Sequence, residues 1–573
     1  MEQIIRLIDS NTKENVNYEE TSLWHDGSVM DDSKVDNVIY RKKTDKYYAL
    51  TQFLAGNLIS VQRFGAKGDG NTNDYVAFQR SLDVLGYIYM NQGNYLIEGT
   101  IENTKFTEMV NYYSNNGIII SGVTIIGSNR NKVSIINKNV GAPLFRLNGN
   151  PDNQATIGNP LAQTHNYIGG FTLIGNGIND DSLFEINALW IANFNDIIIK
   201  NYGVAFNVLG SDPPDAATSN LLLFDKIFAQ HGKVFFNSVV ARTGSTKFTN
   251  SEFRYLSDVA IRGAFAGLEI NNCQISHCGN KENSKSAGVR IITPEVPSTN
   301  RAVKIENCMF EANKWSDILV ENCSGMNIST NTFHPYYYLD AGEGNEQVCV
   351  RVEGDTIGVD GVVLNANRTS GMSNPATGPE ISRFLKVSGK VKNISVDGLS
   401  APIYSHLPYL FDISQSTDNF NTKSFRASAG WKIPGNTVPV LFTGDNTLFD
   451  IRTLSQYIVR TYDNAGGIDG SGNFIGSRFD NQFAYIIPWS GLYLISGLVR
   501  LNLTDGREAR IVVESDQTVT TPFKTDQSTF SVIKRLQKGT PVNIYIQVVG
   551  TIKNVGFITS PSVNAMEFNI VQL

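Results

Sequence analysis

The sequence has 573 residues, more than one hydrophobic core normally serves, so several domains are expected. Apolar residues make up 41%, charged residues only 18%, and the net charge is −6, a balance typical of a globular protein with few surface charges. The chain has no Lys/Arg cluster of the kind that forms a basic face or stripe, and no apolar run of about 18 residues, so neither nucleic acid nor a membrane is an expected partner.

The N-terminal stretch MEQIIRLIDSNTKEN lacks the basic segment followed by an apolar segment that marks a secretion signal, and none is expected. Further along, NDYVAFQRSLDVLG (residues 73–86) predicts a short helix, because its apolar residues recur at helical spacing. They are Tyr75, Phe78, Leu82 and Leu85. Asn73 or Asp74 is expected to cap the start and Gly86 the end.

Residues 165–353 carry a repeat of 22–35 residues in which two apolar anchors flank a turn. The anchor pairs are Ile168/Leu173, Phe194/Ile199, Leu223/Phe228, Phe248/Phe253, Ile270/Ile275, Ile305/Phe310 and Ile328/Phe333. Two residues after the first anchor stand mostly Asn and Asp, which tolerate a left-handed turn: Asp196, Asp225, Asn250, Asn272, Asn307 and Thr330. A second strand with period-two alternation follows each pair.

Such a strand–turn–strand unit cannot bury its own inner face, but stacked units can, so the repeat predicts a parallel β-helix. The open first coil of a β-helix is an edge that would pair with other chains, and the helix near residue 75 is expected to cover it.

Five cysteines, at 273, 278, 308, 323 and 349, all lie within the repeat region and include no C-x-x-C pair. A zinc site is therefore not expected, and the sequence predicts buried, reduced thiols. No group of Asp residues on adjacent coils suggests a calcium site, so neither a metal nor another cofactor is expected.

The stretch VQRFGAKGDGNTNDYVAFQRSLD (residues 61–83) resembles the entry motif of the pectate-lyase-3-type β-helix proteins, a superfamily that includes phage tailspikes, polygalacturonases and epimerases. The polygalacturonase signatures Asn-Thr-Asp, Gly-His-Gly and Arg-Ile-Lys are missing, and QHG at 230–232 is only a partial match. LWHDGSVMDDSKVDNVIYRKKTDKYYAL resembles the small β-domain that precedes the helix in tailspikes. FAYIIPWSGLYLISGLVRLNL, LQKGTPVNIYIQVVG and the final FNIVQL resemble a jelly roll of the C1q/tumour-necrosis-factor type.

These resemblances imply an all-β fold: a right-handed parallel β-helix between a small N-terminal domain and a C-terminal β-sandwich of jelly-roll type. The expected bounds are 1–60 for an adaptor domain, 61–425 for the β-helix and 426–573 for the jelly roll. They also imply a homotrimeric bacteriophage tailspike, made in the host cytoplasm and carried in the virion. Its N-terminus would join the tail, the baseplate or another tail protein. Its substrate would be a bacterial surface polysaccharide, capsule or O-antigen.

Candidate site residues follow from the repeat register, which predicts that residues 199, 228, 253, 275, 310 and 333 point inward and that their neighbours point outward. Glu311 and His334 should then be neighbours on adjacent coils. The predicted catalytic carboxylates are Glu311, Glu252, Asp317 and Asp258. The predicted substrate-binding residues are Arg254, His277, Trp315, His334 and Tyr336.

Three functions fit this pattern. Carboxylates outnumber paired His and Lys in the candidate groove, which favours an endo-acting glycoside hydrolase over a lyase. A spike that binds the polysaccharide without cleaving it would have the same fold. A host-type β-helix lyase or epimerase is the third alternative, and a secretion signal would have favoured it.

Overall fold

The computed structural model describes residues 4–25, 27–103, 121–148, 165–177, 181–187, 189–209, 219–280, 282–293, 300–334, 347–369 and 382–397. Beyond these it describes the strand segments between 411 and 572 given below. The chain forms two compact units, Met1–Gln274 with Pro294–Val296, and Ile275–Thr293 with Pro297–Leu573. No helix among the described residues has the length and apolar character needed to cross a membrane.

The N-terminal region is a small antiparallel sheet, as predicted. Its strands lie in the order Ile4–Ile8, Asn15–Glu20, Lys46–Leu50, Tyr40–Lys43. Tyr18 is fully buried, and its hydroxyl donates a hydrogen bond to the Val38 carbonyl over 2.8 Å. Three short helical turns accompany the sheet: Asp32–Lys34, Thr51–Leu54 and Val61–Phe64.

The predicted helix is present at Tyr75–Leu85 and ends at Gly86, which has the left-handed conformation expected of a C-terminal cap. Of the two predicted N-caps, Asp74 occupies the N-cap position without a side-chain cap, and Asn73 before it supplies the hydrogen bond: its Oδ1 accepts from the Tyr75 N–H over 3.1 Å. The Asp74 carboxylate instead closes the preceding glycine-rich loop by accepting from the N–H groups of Lys67 and Gly68, over 2.7 and 3.0 Å.

This helix covers the open edge of the first coil. Phe78 packs on Tyr95 with ring centroids 5.3 Å apart. The Gln79 side-chain amide donates to the Glu102 carbonyl over 2.7 Å and accepts from the Glu102 N–H over 2.9 Å. One amide side chain thus occupies the place of a neighbouring strand and satisfies edge groups that would otherwise be open to another chain.

Parallel pairing between successive coils builds the β-helix of the first unit. Its strands are Asp69–Asn73, Tyr87–Met90, Gly93–Ile97, Ile101–Glu102, Ser121–Gly127, Val133–Asn137, Phe145–Asn148, His165–Ile174, Ser182–Asn187, Trp190–Val208, Asn220–Thr249, Glu252–Arg254 and Val259–Asn271.

The second unit repeats this parallel stacking. Its strands are Gln274–Ser276, which begins at the last residue of the first unit, then Ala287–Ile291, Arg301–Glu306, Met309–Glu311, Ser316–Val320, Cys323–Ser329, Thr332–His334, Gln347–Asn365, Arg368–Thr369, Ser382–Asp397, Phe411–Ser416 and Val440–Phe442. The last two strands pair in parallel, so the stacking continues beyond residue 425.

The turn column of the repeat is present, with one shift. Asp196, Asn250, Asn272, Asn307 and Thr330 all have left-handed backbones, with φ between 50 and 57°. On the remaining coil the left-handed residue is Lys226 rather than the predicted Asp225. The register moves with it: Ala229, not Phe228, is the inward residue, because Ala229 aligns with Ile199 and with Phe253.

Hydrogen bonds of Asp225 explain the shift. Its carboxylate accepts from Asn195, Thr249 and Asn250 on neighbouring coils, over 3.2, 2.7 and 2.7 Å. Apolar residues stand next to one another at 222–224 and at 227–228, so both the predicted and the observed register place apolar side chains inside. The apolar pattern alone therefore does not choose between the two registers. The hydrogen bonds of Asp225 to its neighbouring coils favour the observed register, which places Phe228 and Gln230 outside, beside Glu252 and Arg254.

The interior is apolar and stacked in columns. Phe194, Phe224 and Phe248 lie one above another with centroid spacings of 4.8 Å, which matches the separation of paired strands. All five cysteines are buried and free of disulfides, as predicted.

The described strands near the C-terminus are antiparallel, as a β-sandwich requires. One sheet has the order Gln456–Tyr457, Met566–Gln572, Gly491–Leu503, Gln527–Leu536, with Val555–Phe557 also paired to Gly491–Leu503. The other has the order Tyr485–Ile486, Pro541–Val549, Glu508–Glu514, Val519–Phe523, and a separate pair joins Gly467–Ile468 to Phe474–Ile475. The likeness to the C1q/tumour-necrosis-factor type stays a prediction.

Gln79→Ala removes both hydrogen bonds to Glu102 and leaves its edge N–H and carbonyl to water. We expect the free energy of unfolding to fall by about 1–3 kcal/mol, measured by urea unfolding. Val76→Ala, on the exposed face of the same helix, is the control and should change it by less than about 0.5 kcal/mol. Equal stability of the two variants would show that Gln79 does not protect the edge.

Candidate functional site

Glu311 and His334 are neighbours on adjacent coils, as predicted. The strands Met309–Glu311 and Thr332–His334 pair in parallel, and Glu311 aligns with His334. The preceding residues on the two strands, Phe310 and Phe333, point into the interior and stack on each other with ring centroids 5.2 Å apart. Inward packing of the two phenylalanines directs the flanking residues outward, and both Glu311 and His334 are half-buried.

Backbone hydrogen bonds fix this pair from both sides. The His277 N–H donates to the Glu311 carbonyl over 2.8 Å, and the Ala312 N–H donates to the His334 carbonyl over 3.0 Å. His277 itself has a left-handed backbone, with φ of 56°, and is half-buried. The second unit therefore brings together three predicted residues: Glu311 and His334 at the ends of paired strands, and His277 in the turn whose backbone bonds to Glu311.

Asp317 does not face a groove, and the expectation that it does is wrong. Its side chain has no exposed surface, and its Oδ1 accepts from Asn313 Nδ2 over 2.8 Å. Burial raises the pKa of Asp317 to about 7, an effect that hydrogen bonds from Asn313 and Cys349 oppose. The strand Ser316–Val320 is buried at every position, so alternation does not bring Asp317 to the surface. A carboxyl group enclosed in this way cannot contact a polymer.

Glu252, Arg254 and Asp258 belong to the first unit. Arg254 Nε is ion-paired with Glu252 Oε1, and Arg254 Nη2 donates to Gln274 Oε1 over 3.1 Å. Asp258 Oδ2 lies 3.4 Å from Arg262 Nη1. Each of these predicted carboxylates therefore has an arginine partner, and Glu252 remains partly exposed.

The Trp315 ring contacts a cluster of charged side chains. The Arg351 guanidinium lies over its ring, 5.8 Å from the centroid. Burial lowers the pKa of Arg351, which is only 4% exposed, and Glu353 opposes this effect. Arg351 Nη1 lies 3.4 Å from Glu353 Oε1.

Lys285 joins this cluster to a second carboxylate. Its Nζ lies 2.6 Å from Glu353 Oε2 and 2.8 Å from Glu321 Oε1. Arg290 donates to both oxygens of Glu321, over 3.0 and 3.3 Å. Burial raises the pKa of Glu321, but the hydrogen bonds from Lys285 and Arg290 outweigh it, so the pKa lies below its usual value. An ionised carboxylate held by two cations cannot donate a proton, and the cluster serves to hold the segment around Lys285 on the sheet.

This cluster was missed from the sequence because its members come from three separate elements. A signal did exist: Arg290 and Arg351 hold the same position on second strands two coils apart, and Glu321 follows the second strand between them. Aligning the outward-pointing residues of the second strand in each repeat, in the same way as those of the first strand, would have predicted the cluster.

Tyr336 lies outside the described residues. Among the residues that the structure describes, no group of three or more His, Cys, Asp or Glu side chains could hold a metal ion.

No protein-family model and no curated protein sequence matches the chain. Solved structures similar to it include ORF18 of Geobacillus virus E2, at 12% identity and a TM-score of 0.43, covering 91% of this chain and 87% of that one. The A-module of a mannuronan C-5 epimerase from Azotobacter vinelandii has 15% identity and a TM-score of 0.44, covering 68% and 99%. The N-terminal fragment of gene product 12 of bacteriophage Phi29 also has 15% identity and a TM-score of 0.44, covering 68% and 66%.

Asp317→Asn tests the buried carboxyl group. Since the folded protein holds this proton up to about pH 7 and the unfolded chain releases it near 3.8, wild-type stability should fall as the pH rises through this window and be constant above it. Asparagine has no proton to lose. Between about pH 5 and pH 8 the variant should gain about 2–3 kcal/mol relative to wild type, measured by urea unfolding.

Asp360→Asn makes the same change at an exposed position and controls for the loss of one negative charge. If Asp317→Asn differs from wild type by the same amount at both pH values, Asp317 is ionised in the folded protein and its assignment to the neutral interior is wrong.

Proposed function

We propose that this protein binds a bacterial surface polysaccharide, capsule or O-antigen, and cleaves it internally by glycoside hydrolysis, as a phage tailspike. One observation carries the proposal: Glu311 lies beside His334 on the outer face of a parallel β-helix, with both side chains half-buried. Rigid strands hold the pair in place, which is the support that a catalytic group needs. The resemblance of residues 61–83 to the entry motif of tailspike-type β-helices favours a polysaccharide as the substrate.

In this proposal Glu311 donates a proton to the glycosidic oxygen as the bond to the sugar breaks. A second carboxylate then activates water or forms the glycosyl intermediate. Asp317 is enclosed in the core and is excluded as this second carboxylate, while Glu252→Gln and Asp258→Asn test the other two predicted carboxylates one at a time. Both are ion-paired with arginine.

Elimination is the second candidate, because Glu311 has His334 on one side and the backbone of His277 on the other. A lyase removes the proton next to a uronate carboxyl group with a base such as histidine. In that case the histidines carry the acid–base chemistry, and the products absorb in the ultraviolet as unsaturated uronates.

Glu311→Gln keeps the shape of the side chain and removes the proton donor. With capsules and O-antigens from a strain panel, we expect cleavage to slow by about 10²–10⁴-fold while binding survives. Polymer size by light scattering and product absorbance are the measurements. Glu269→Gln, a similar change at a surface ion pair with Lys247, should cleave at the wild-type rate.

Cleavage by Glu311→Gln at the wild-type rate would reject Glu311 as the acid. A wild-type protein that binds the polymers but never shortens them would be a receptor-binding spike without catalysis. A lyase would be identified by three results together. The wild-type products absorb in the ultraviolet, Glu311→Gln still cleaves, and His334→Ala and His277→Ala do not.

We further propose that the chain assembles as a homotrimer, attached to the phage tail through its N-terminal domain. The antiparallel sheets near the C-terminus and the jelly-roll resemblance of the IPWSGLYLISG stretch support this assembly. Light scattering of the purified full chain should give about three times the 63.1 kDa of one subunit. A monomer at micromolar concentration would overturn the trimer and leave the proposed chemistry untouched.

A further inference from the structure

A second column of left-handed residues lies on the outer surface of the first unit. It contains Asn201, His231 and Tyr255, with φ of 54, 56 and 55°. Each follows an outward residue of the aligned series Lys200, Gln230 and Arg254. Asparagine is the ordinary non-glycine choice for this conformation, and Asn201 conforms. Histidine is also tolerated there, but a tyrosine ring is unfavourable, so turn geometry does not account for Tyr255.

The two rings form one exposed surface. Their centroids lie 5.3 Å apart and their planes are within 7° of parallel. This spacing is close to the separation of paired strands, so the two rings lie one above the other along the outer surface of the coils. Tyr255 is 47% exposed and His231 is exposed too. A chain gains little stability from two exposed rings, whereas a ligand with an apolar face would gain contact area.

Hydrogen-bonding groups border the rings. Gln230 and Arg254 directly precede His231 and Tyr255 and align with each other in the parallel ladder. Glu252 is ion-paired with Arg254, and Gln274 accepts from Arg254 over 3.1 Å. The border thus offers amide, guanidinium and carboxylate groups within one strand spacing of the rings, and the charges of Arg254 and Glu252 cancel.

We propose that His231 and Tyr255, with Gln230, Arg254 and Glu252 beside them, form a binding subsite for an uncharged sugar unit of the polysaccharide. A pyranose has one face of C–H groups, which packs on aromatic rings, and hydroxyl groups at its edge, which pair with the bordering side chains. The cancelled charge favours a neutral hexose over a uronate. This inference rests on the proposed function, because it assumes that the ligand is a polysaccharide.

The test uses asparagine, which preserves the turn. His231→Asn and Tyr255→Asn, singly and together, are made in the full chain carrying Glu311→Gln, so that the polymer stays intact. Binding to a purified polysaccharide that the wild-type protein cleaves is measured by biolayer interferometry. We expect the double variant to bind at least tenfold more weakly with an unchanged or higher melting temperature. Tyr255→Phe should bind within about twofold of its parent.

Tyr167→Asn, at another exposed tyrosine of the same unit, is the matched control and should bind like its parent. Unchanged binding by the double variant, in a protein that binds and cleaves the polymer, would overturn the subsite alone. If the wild-type protein neither binds nor cleaves any polysaccharide of the panel, the proposed function and the subsite are both wrong. Weaker binding together with a lower melting temperature would show that the rings support the fold, and would also overturn the subsite.

Discussion

Backbone pairing between successive coils is the constraint on which the rest of this molecule depends. Within the β-helix each strand hydrogen-bonds in parallel to the strand one coil away, so a side chain there lies about 4.8 Å from its equivalent in the next coil. A position in the repeat is therefore a column, and the column needs compatible residues throughout. Phe194, Phe224 and Phe248 satisfy this inside by stacking at that spacing. In the turns, Asn250 and Asn272 form such a column: both have a left-handed backbone, and the Asn272 side-chain amide donates a hydrogen bond to Asn250 Oδ1.

The column rule explains which parts of the structure were predictable from the sequence. The anchor pattern, the Asn-rich turn and the covering helix each have a local signal, and the structure contains all three. The neighbouring positions of Glu311 and His334 follow from counting coils between Phe310 and Phe333. The register failed on the coil around Phe228, where apolar residues are adjacent and the choice was made by the hydrogen bonds of Asp225. A long-range polar ladder of that kind has no signature within one segment of sequence.

Burial of polar groups was the harder part of the site to predict. In the sequence Asp317 directly precedes the apolar residues 318–320, a position that suggests a turn, yet it lies in the strand and is enclosed with Asn313 and Cys349. The sequence pattern separates apolar from polar residues, but it does not say which polar residue has an interior partner. For the same reason the cluster of Lys285, Glu321 and Glu353 was not foreseen. Its members are far apart in the chain, and only the stacking of coils brings them within 2.8 Å.

The turn columns offer a way to separate structural from functional residues on this scaffold. Where the backbone must be left-handed, asparagine satisfies the geometry at little cost, and the chain uses it at Asn201, Asn250 and Asn272. A bulky ring at an equivalent position raises the conformational free energy of the folded state, so the presence of such a ring calls for a favourable interaction other than the turn itself. At Ala312 the side chain is small and buried, and packing is a sufficient reason. At Tyr255 the ring is exposed beside His231, and the proposed sugar subsite would give it a role on the outer surface.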